Sequence, residues 1–147
     1  MNTAPIRPLD EHICFSAYTT VRAIQRLYQP TLAEHHLTYP QYLVLVALYA
    51  DPPKAVPVKK LSAQLDLSTG TLTPILKRMT KAGLIARQRN PHDDRSVLIT
   101  LTEAGVTTRK VLNTLPNILT ERGGLDEAEW QQLQMLMNKL MRNLTDQ

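Results

Sequence analysis

Residues 58–105 read VKKLSAQLDLSTGTLTPILKRMTKAGLIARQRNPHDDRSVLITLTEAG, and this stretch decides the fold. Val58 to Leu65 has the spacing of a short helix, and Leu67-Ser68-Thr69-Gly70 is a turn rich in capping residues. A further helix follows and stops at Gly83, a residue suited to the left-handed conformation after a helix end. Two short helices across a tight turn form a helix-turn-helix, whose second helix enters the major groove. With Thr71 as its N-cap, Pro74 falls harmlessly in the first turn; an earlier start implies a kink. Residues 84–90 and 96–101 then read as two strands, with Val97, Ile99 and Leu101 alternating inward. The turn between them, Pro91 to Arg95, places Arg95 at the tip. A basic hairpin directly after a recognition helix is a wing, so the expected fold is a mainly α winged helix-turn-helix with a two-stranded β wing.

The charge distribution supports that reading. Between residues 77 and 95, Lys77, Arg78, Lys81, Arg87, Arg89 and Arg95 outnumber Asp93 and Asp94 by four, the whole net charge of +4. A solvated surface spreads its surplus, whereas a phosphate-binding face concentrates it. The hydroxyls of Ser68, Thr69, Thr71 and Thr73 crowd the start of the second helix, where side chains and backbone N–H groups reach phosphates and base edges. These four residues, with Lys77, Arg78, Arg87, Arg89 and Arg95, are the candidate contacts to double-stranded DNA. An arginine at a wing tip suits the minor groove of A·T-rich DNA.

Outward from this core the chain is helical. Leu9, Ile13, Ala17, Val21, Ile24 and Tyr28 form one apolar stripe of a helix from about Asp10, its N-cap, to His35, which Pro30 kinks or divides. Thr38-Tyr39-Pro40 opens a second, buried helix that stops at Asp51-Pro52-Pro53, and Pro57 keeps the following link irregular. After the wing, a long helix runs from residue 102 to about Arg122 with Pro116 as a kink. Gly123-Gly124 breaks it, and a last helix from Asp126 carries Trp130, Leu133, Met137, Leu140 and Leu144 on one side. The terminal stripes lie far from the helix-turn-helix in sequence and offer apolar surface to a second subunit. The expected division is therefore residues 1–36 and 104–147 for homodimerisation and 37–103 for DNA binding.

Several function classes fall away. No run of about 18 apolar residues crosses a membrane. The opening MNTAPIRPLDEH lacks the apolar core of a signal peptide, so the expected location is cytoplasmic. A single cysteine, Cys14, allows no internal disulfide and no cysteine-rich zinc site, and the four histidines have no ligand spacing. No metal or cofactor is expected. Catalysis as a thiol peroxidase would lack a resolving cysteine and any Arg or Thr placed to polarise the peroxide.

Cys14 and the tyrosines suggest a signal. Cys14 lies about one turn into the first helix, where the positive end of the helix dipole favours a thiolate, the form that attacks peroxides. All five tyrosines fall between residues 18 and 49, and Tyr18 is one turn beyond Cys14. A phenol can donate a hydrogen bond to a thiolate while the rest of the pocket stays apolar. On the residues alone, a lone helical cysteine is more usually a small buried hydrophobe, and tyrosines are often amphipathic core residues.

Residues 61–105, with LTPILKRMTKAGLIARQRN and DDRSVLITLTEAG, resemble the MarR family of bacterial transcription regulators. HICFSAY (12–18) and LTYPQYL (37–43) resemble its organic-hydroperoxide-resistance branch, OhrR, over a match that weakens in the last two helices. The resemblance implies a homodimeric repressor of pseudo-palindromic operators in which Cys14 is the redox sensor. It also implies that Tyr18, Tyr28 and Tyr39 hydrogen-bond that sulfur, two of them across the dimer. With one cysteine, it implies a sulfenic acid followed by a mixed disulfide with a small cellular thiol, or overoxidation. The alternative is a regulator of the same type switched by a small phenolic ligand in the tyrosine-lined cleft; a structural dimer module would show no salt-sensitive affinity for duplex DNA.

Overall fold

The computed structural model describes residues 4–50 and 52–146; Asp51, part of the expected helix stop, lies outside them. The chain divides into two compact units, within Met1–Asn113 and within Thr114–Gln147. The first contains α1 (Ile13–Glu34), α2 (Tyr39–Leu48), β1 (Val56–Pro57), α3 (Val58–Leu65), α4 (Thr69–Lys81), β2 (Ile85–Asn90), β3 (Asp93–Leu101) and α5 (Glu103–Val111). This is the expected winged helix-turn-helix.

Asp10 does not cap the first helix. It sits in a separate 3-10 turn, Leu9–Glu11, and α1 starts after His12. Pro30 does not divide α1, which runs unbroken past it. The helix ends where His36 adopts a left-handed conformation, φ 55°. The Leu37 N–H then bonds back to the Leu32 carbonyl at 2.9 Å, and both side chains are buried. This tight reversal sends the chain straight into α2. There Thr38 and Gln41 form a reciprocal capping box, with Pro40 in the first turn where a missing N–H costs nothing.

The helix-turn-helix is closed by local hydrogen bonds. Asp66 takes the left-handed conformation after α3, and the Leu67 N–H reaches the Ser62 carbonyl at 3.0 Å. The Ser62 hydroxyl donates to the Leu67 carbonyl. Leu61 from α3 and Leu72, Leu76 and Met79 from α4 are almost wholly shielded, together with Val44, Leu45 and Leu48 of α2 and Ile99 of β3. α2 is thus the central helix, consistent with its nearly all-round apolar sequence.

The sheet has three strands in the order β1-β3-β2, one more than expected. Val56 and Pro57 pair antiparallel with Ile99 and Leu98, so the proline-rich link contains a short edge strand. Pro57 is tolerated there because an edge strand leaves one row of N–H groups unused. In β3, Ile99 and Leu101 are buried and Val97 is half-buried.

The helix expected over 102–122 is interrupted by a 3-10 turn, Leu112–Thr114, and resumes as α6 (Leu115–Gly123). Pro116 falls in the first turn of α6, the position its missing N–H favours. In the second unit, Gly124 reverses the chain at φ 68°. Asp126 caps α7 (Glu127–Thr145) through a capping box with Glu129. A side chain on Gly123 would strike the Trp130 ring, which lies directly against its backbone. α7 buries none of its described residues; Leu133, Met137, Leu140 and Leu144 are all exposed. Among the described residues, no helix is long and apolar enough to cross a membrane.

Candidate nucleic-acid interface and thiol sensor

Ser68, not Thr71, caps the recognition helix α4. Its hydroxyl accepts from the Thr71 N–H at 3.2 Å and lies 2.9 Å from the Thr71 hydroxyl. The earlier start puts Pro74 in the second turn, where it has no N–H to offer the Gly70 carbonyl. The Thr73 hydroxyl donates to the Thr69 carbonyl at 2.6 Å. All four hydroxyl residues are exposed, as are Lys77, Arg78 and Lys81, while Leu72, Ile75, Leu76 and Met79 face the core.

The wing differs from expectation at its tip. Pro91-His92 forms the turn, closed by the His92 N–H donating to Asn90 Oδ1 at 3.0 Å. Arg95 lies three residues further on, within β3, where an irregularity in the register between Arg89 and Asn90 leaves β3 with extra residues. Asp93 Oδ1 accepts from the Arg95 N–H at 3.0 Å and fixes the backbone there. The register pairs Arg87 with Ile99 and Arg89 with Val97, which puts both arginines on one face of the ribbon.

These pieces meet in a concave groove of about 630 Å³. Its lining joins Thr69 and Thr73 of α4 to Arg87, Asn90, Asp93 and Arg95 of the wing, with Lys59 from the first turn of α3. Ser68, Thr71, Lys77, Arg78 and Arg89 are exposed but do not line it. Lys59 was not among the sequence candidates. Its signal was present in Pro57-Val58-Lys59, but assigning it required β1, which folds the start of α3 against the wing. Three cations and two exposed hydroxyls on one concave surface suit a sugar-phosphate backbone.

Cys14 is the second residue of α1 and is exposed. Tyr18 is also exposed, and the Arg22 guanidinium sits 5.6 Å from its ring centroid. Tyr28 lies fourteen residues beyond Cys14 on the same helix, roughly 21 Å away at the helical rise. One chain therefore cannot bring Cys14 and Tyr28 into hydrogen-bonding contact.

Tyr28 belongs instead to a cluster with Tyr39 and Tyr42. The ring centroids are 6.2 Å apart for Tyr28–Tyr39, 5.8 Å for Tyr28–Tyr42 and 6.0 Å for Tyr39–Tyr42. Tyr28 and Tyr42 are buried and meet edge to face; Tyr39 is half-buried. Tyr42, one of the five clustered tyrosines, is not among the candidate sensor residues, although its place one turn after Tyr39 is a usable signal. Burial, aided by the neighbouring Tyr42 and Tyr39, pushes the Tyr28 phenol up to about 12. Burial also raises Tyr39 and Tyr42, the latter opposed by the positive charge of Arg109. All three phenols are therefore protonated donors at neutral pH.

A phenol whose pKa is raised by folding stabilises the native state fully below its unfolded value and loses that contribution as pH rises through the folded value. For Tyr28 the window runs from pH 10 to about 12. Base-induced unfolding followed by circular dichroism should begin there, and Tyr28→Phe should move its onset to higher pH. An unmoved onset would mean that Tyr28 ionises freely.

Arg109 lies 5.6 Å from the Tyr49 ring centroid and donates from Nη1 to Asn113 Oδ1 at 3.3 Å. With Lys110 these residues line a cavity of about 150 Å³. Among the described residues there is no group of three or more His, Cys, Asp or Glu placed to hold a metal.

Comparison with known proteins agrees with this geometry. Residues 11–112 match the family model described as transcriptional regulator SarA/Rot. The organic hydroperoxide resistance transcriptional regulator of Bacillus subtilis is 39% identical over 132 residues, covering 90% of this chain and 86% of that protein. The regulator MgrA of Staphylococcus aureus is 38% identical over 134 residues, 90% of each chain. Among solved structures, AbfR of Staphylococcus epidermidis superimposes with a TM-score of 0.77 at 30% identity, covering 95% of both chains. A structure of reduced AbfR bound to DNA matches with the same score and identity, over 94% of this chain and 93% of that one. The chain belongs to the SarA/Rot family of transcriptional regulators and is a winged-helix regulator of the MarR type, on the organic-hydroperoxide-resistance branch.

Proposed function

We propose that the protein is a cytoplasmic homodimeric repressor that binds a pseudo-palindromic operator while Cys14 is reduced and releases it once an organic hydroperoxide oxidises Cys14. The observation that carries this reading is the separation of Cys14 from the tyrosine cluster along α1. A sensor built from Cys14, Tyr28 and Tyr39 is complete only when a second copy lays its α1 start against that cluster, with Tyr18 supplied from the cysteine's own helix. The exposed apolar residues Ile13, Tyr18 and Val21 of α1 and the bare apolar face of α7 support such a dimer. Residues 1–36 and 104–147 would then form the dimer, and 37–103 would read DNA.

The chemistry is a two-electron oxidation. The Cys14 thiolate attacks the terminal peroxide oxygen, an S–O bond forms, the O–O bond breaks, and the alkoxide takes a proton to leave as alcohol. A small cellular thiol then displaces water from the sulfenic acid to give a mixed disulfide. Because overoxidised AbfR has been crystallised bound to DNA, the mixed disulfide is the proposed releasing species here. Its bulk at the subunit boundary would respace the two recognition helices so that they no longer fit successive major grooves.

The test uses a duplex selected from a random pool by the reduced protein. Cumene hydroperoxide with cysteine should release it, and intact mass should show one thiol adduct per chain. Cys14→Ser should bind the duplex equally well and resist release. Release from Cys14→Ser would favour the second reading, a small phenolic ligand, for which the cavity lined by Tyr49 and Arg109 is large enough for a single ring.

A further inference from the structure

We propose that Tyr42 is a positioning residue of the thiol sensor, its ring wedged between Tyr28 and Tyr39 so that both phenols are held toward Cys14 of a second copy. The inference rests on the sensor reading above and goes beyond the three tyrosines that the family resemblance assigns.

The geometry is a nearly equilateral triangle of rings. Each centroid lies 5.8–6.2 Å from the other two. Tyr42 meets Tyr28 edge-on at 89° and Tyr39 at 43°. Tyr42 therefore presents a packed ring to both neighbours, which restricts how far either can turn toward it. Tyr39 needs this support more than Tyr28. Its backbone is set by the Thr38–Gln41 capping box, but its side chain is only half-buried and has solvent on one side. Tyr42, 5% exposed, supplies the packed side. From α5, the Arg109 charge opposes the rise that burial imposes on the Tyr42 phenol.

A hydrogen bond lowers a barrier only if its donor is already aimed when the thiolate reacts. The wedge should therefore affect oxidation rate through its ring and not through its hydroxyl. Tyr42→Leu removes the ring and should slow the reaction of Cys14 with cumene hydroperoxide about tenfold, the loss of roughly one hydrogen bond to a charged acceptor. Tyr42→Phe restores the ring and should return the rate to within about twofold of wild type, a rescue that tenfold spacing makes readable.

The experiment measures the second-order rate of thiol loss in the full-length protein by intact mass, with a cooperative thermal melt as the folding check. If Tyr42→Leu does not melt cooperatively above the assay temperature, Tyr42→Met takes its place as a flexible apolar filler. Leucine or methionine at the wild-type rate overturns the inference, and so does phenylalanine as slow as leucine. A wild-type protein no faster than free cysteine would instead overturn the sensor reading itself. Fast wild type, slow Tyr42→Leu and fast Tyr42→Phe support both.

Discussion

Gly105→Ala is expected to cost about 3 kcal/mol of stability and to lower the melting temperature by roughly 6–12 °C. The added Cβ would collide with the Leu84 carbonyl oxygen and lie 3.3 Å from Leu101 Cδ2. The Leu84 backbone is not free to move. The Leu84 carbonyl already accepts from the Thr102 N–H at 3.1 Å, and the Thr102 hydroxyl donates to the Gly83 carbonyl at 2.6 Å. That hydroxyl also accepts from the Gly105 N–H at 3.1 Å, capping α5. The result is a clasp that ties the start of α5 to the chain leaving the recognition helix. The same clasp explains Leu101-Thr102-Glu103-Ala104-Gly105 in physical terms: a threonine that caps and cross-links, then a glycine where the backbones touch. Thermal and urea denaturation of the variant check the expectation. An unchanged midpoint would mean that α5 can shift freely away from Leu84.

Arg87→Ala with Arg95→Ala is expected to weaken binding to the selected duplex by about 10²–10³-fold near 0.15 M salt, through the four charges a dimer would lose. The slope of log affinity against log salt should become shallower by up to about 3.6, at about 0.9 per phosphate contact. Both arginines line the groove with Lys59 and the exposed Thr69 and Thr73 hydroxyls. Arg89, exposed but outside the groove, provides the comparison. Filter binding across a salt series makes the measurement. Equal losses for Arg87→Ala and Arg89→Ala would show that general charge, not the groove, determines affinity.

Much of this fold was readable one segment at a time. Gly83, the alternating Val97-Leu98-Ile99-Thr100-Leu101 and the capping residues before α4 each carry their instruction locally, in a left-handed site, a two-residue period or a side-chain acceptor. Local signals do not decide where two choices are nearly equal. Thr71 and Ser68 are both good caps, and in the fold it is the Ser68 hydroxyl that takes the Thr71 N–H. The two-residue strand β1 has no periodicity to detect and exists because Ile99 and Leu98 offer it an open edge. Arg95 shifted from the tip because Asn90 and Asp93 close a tighter turn than five loop residues suggested.

The chain order alone determined that this is a winged helix-turn-helix with its excess positive charge between residues 77 and 95, because capping, periodicity and charge act between near neighbours. Only tertiary structure decided that Tyr28, Tyr39 and Tyr42 form one cluster, that Lys59 joins the wing, and that Cys14 lies far along α1 from Tyr28 of its own chain. Those outcomes depend on the reversal at His36, on the pairing of β1 with β3 and on the length of an unbroken α1. They are distances set by packing across the fold, and no local pattern encodes a distance.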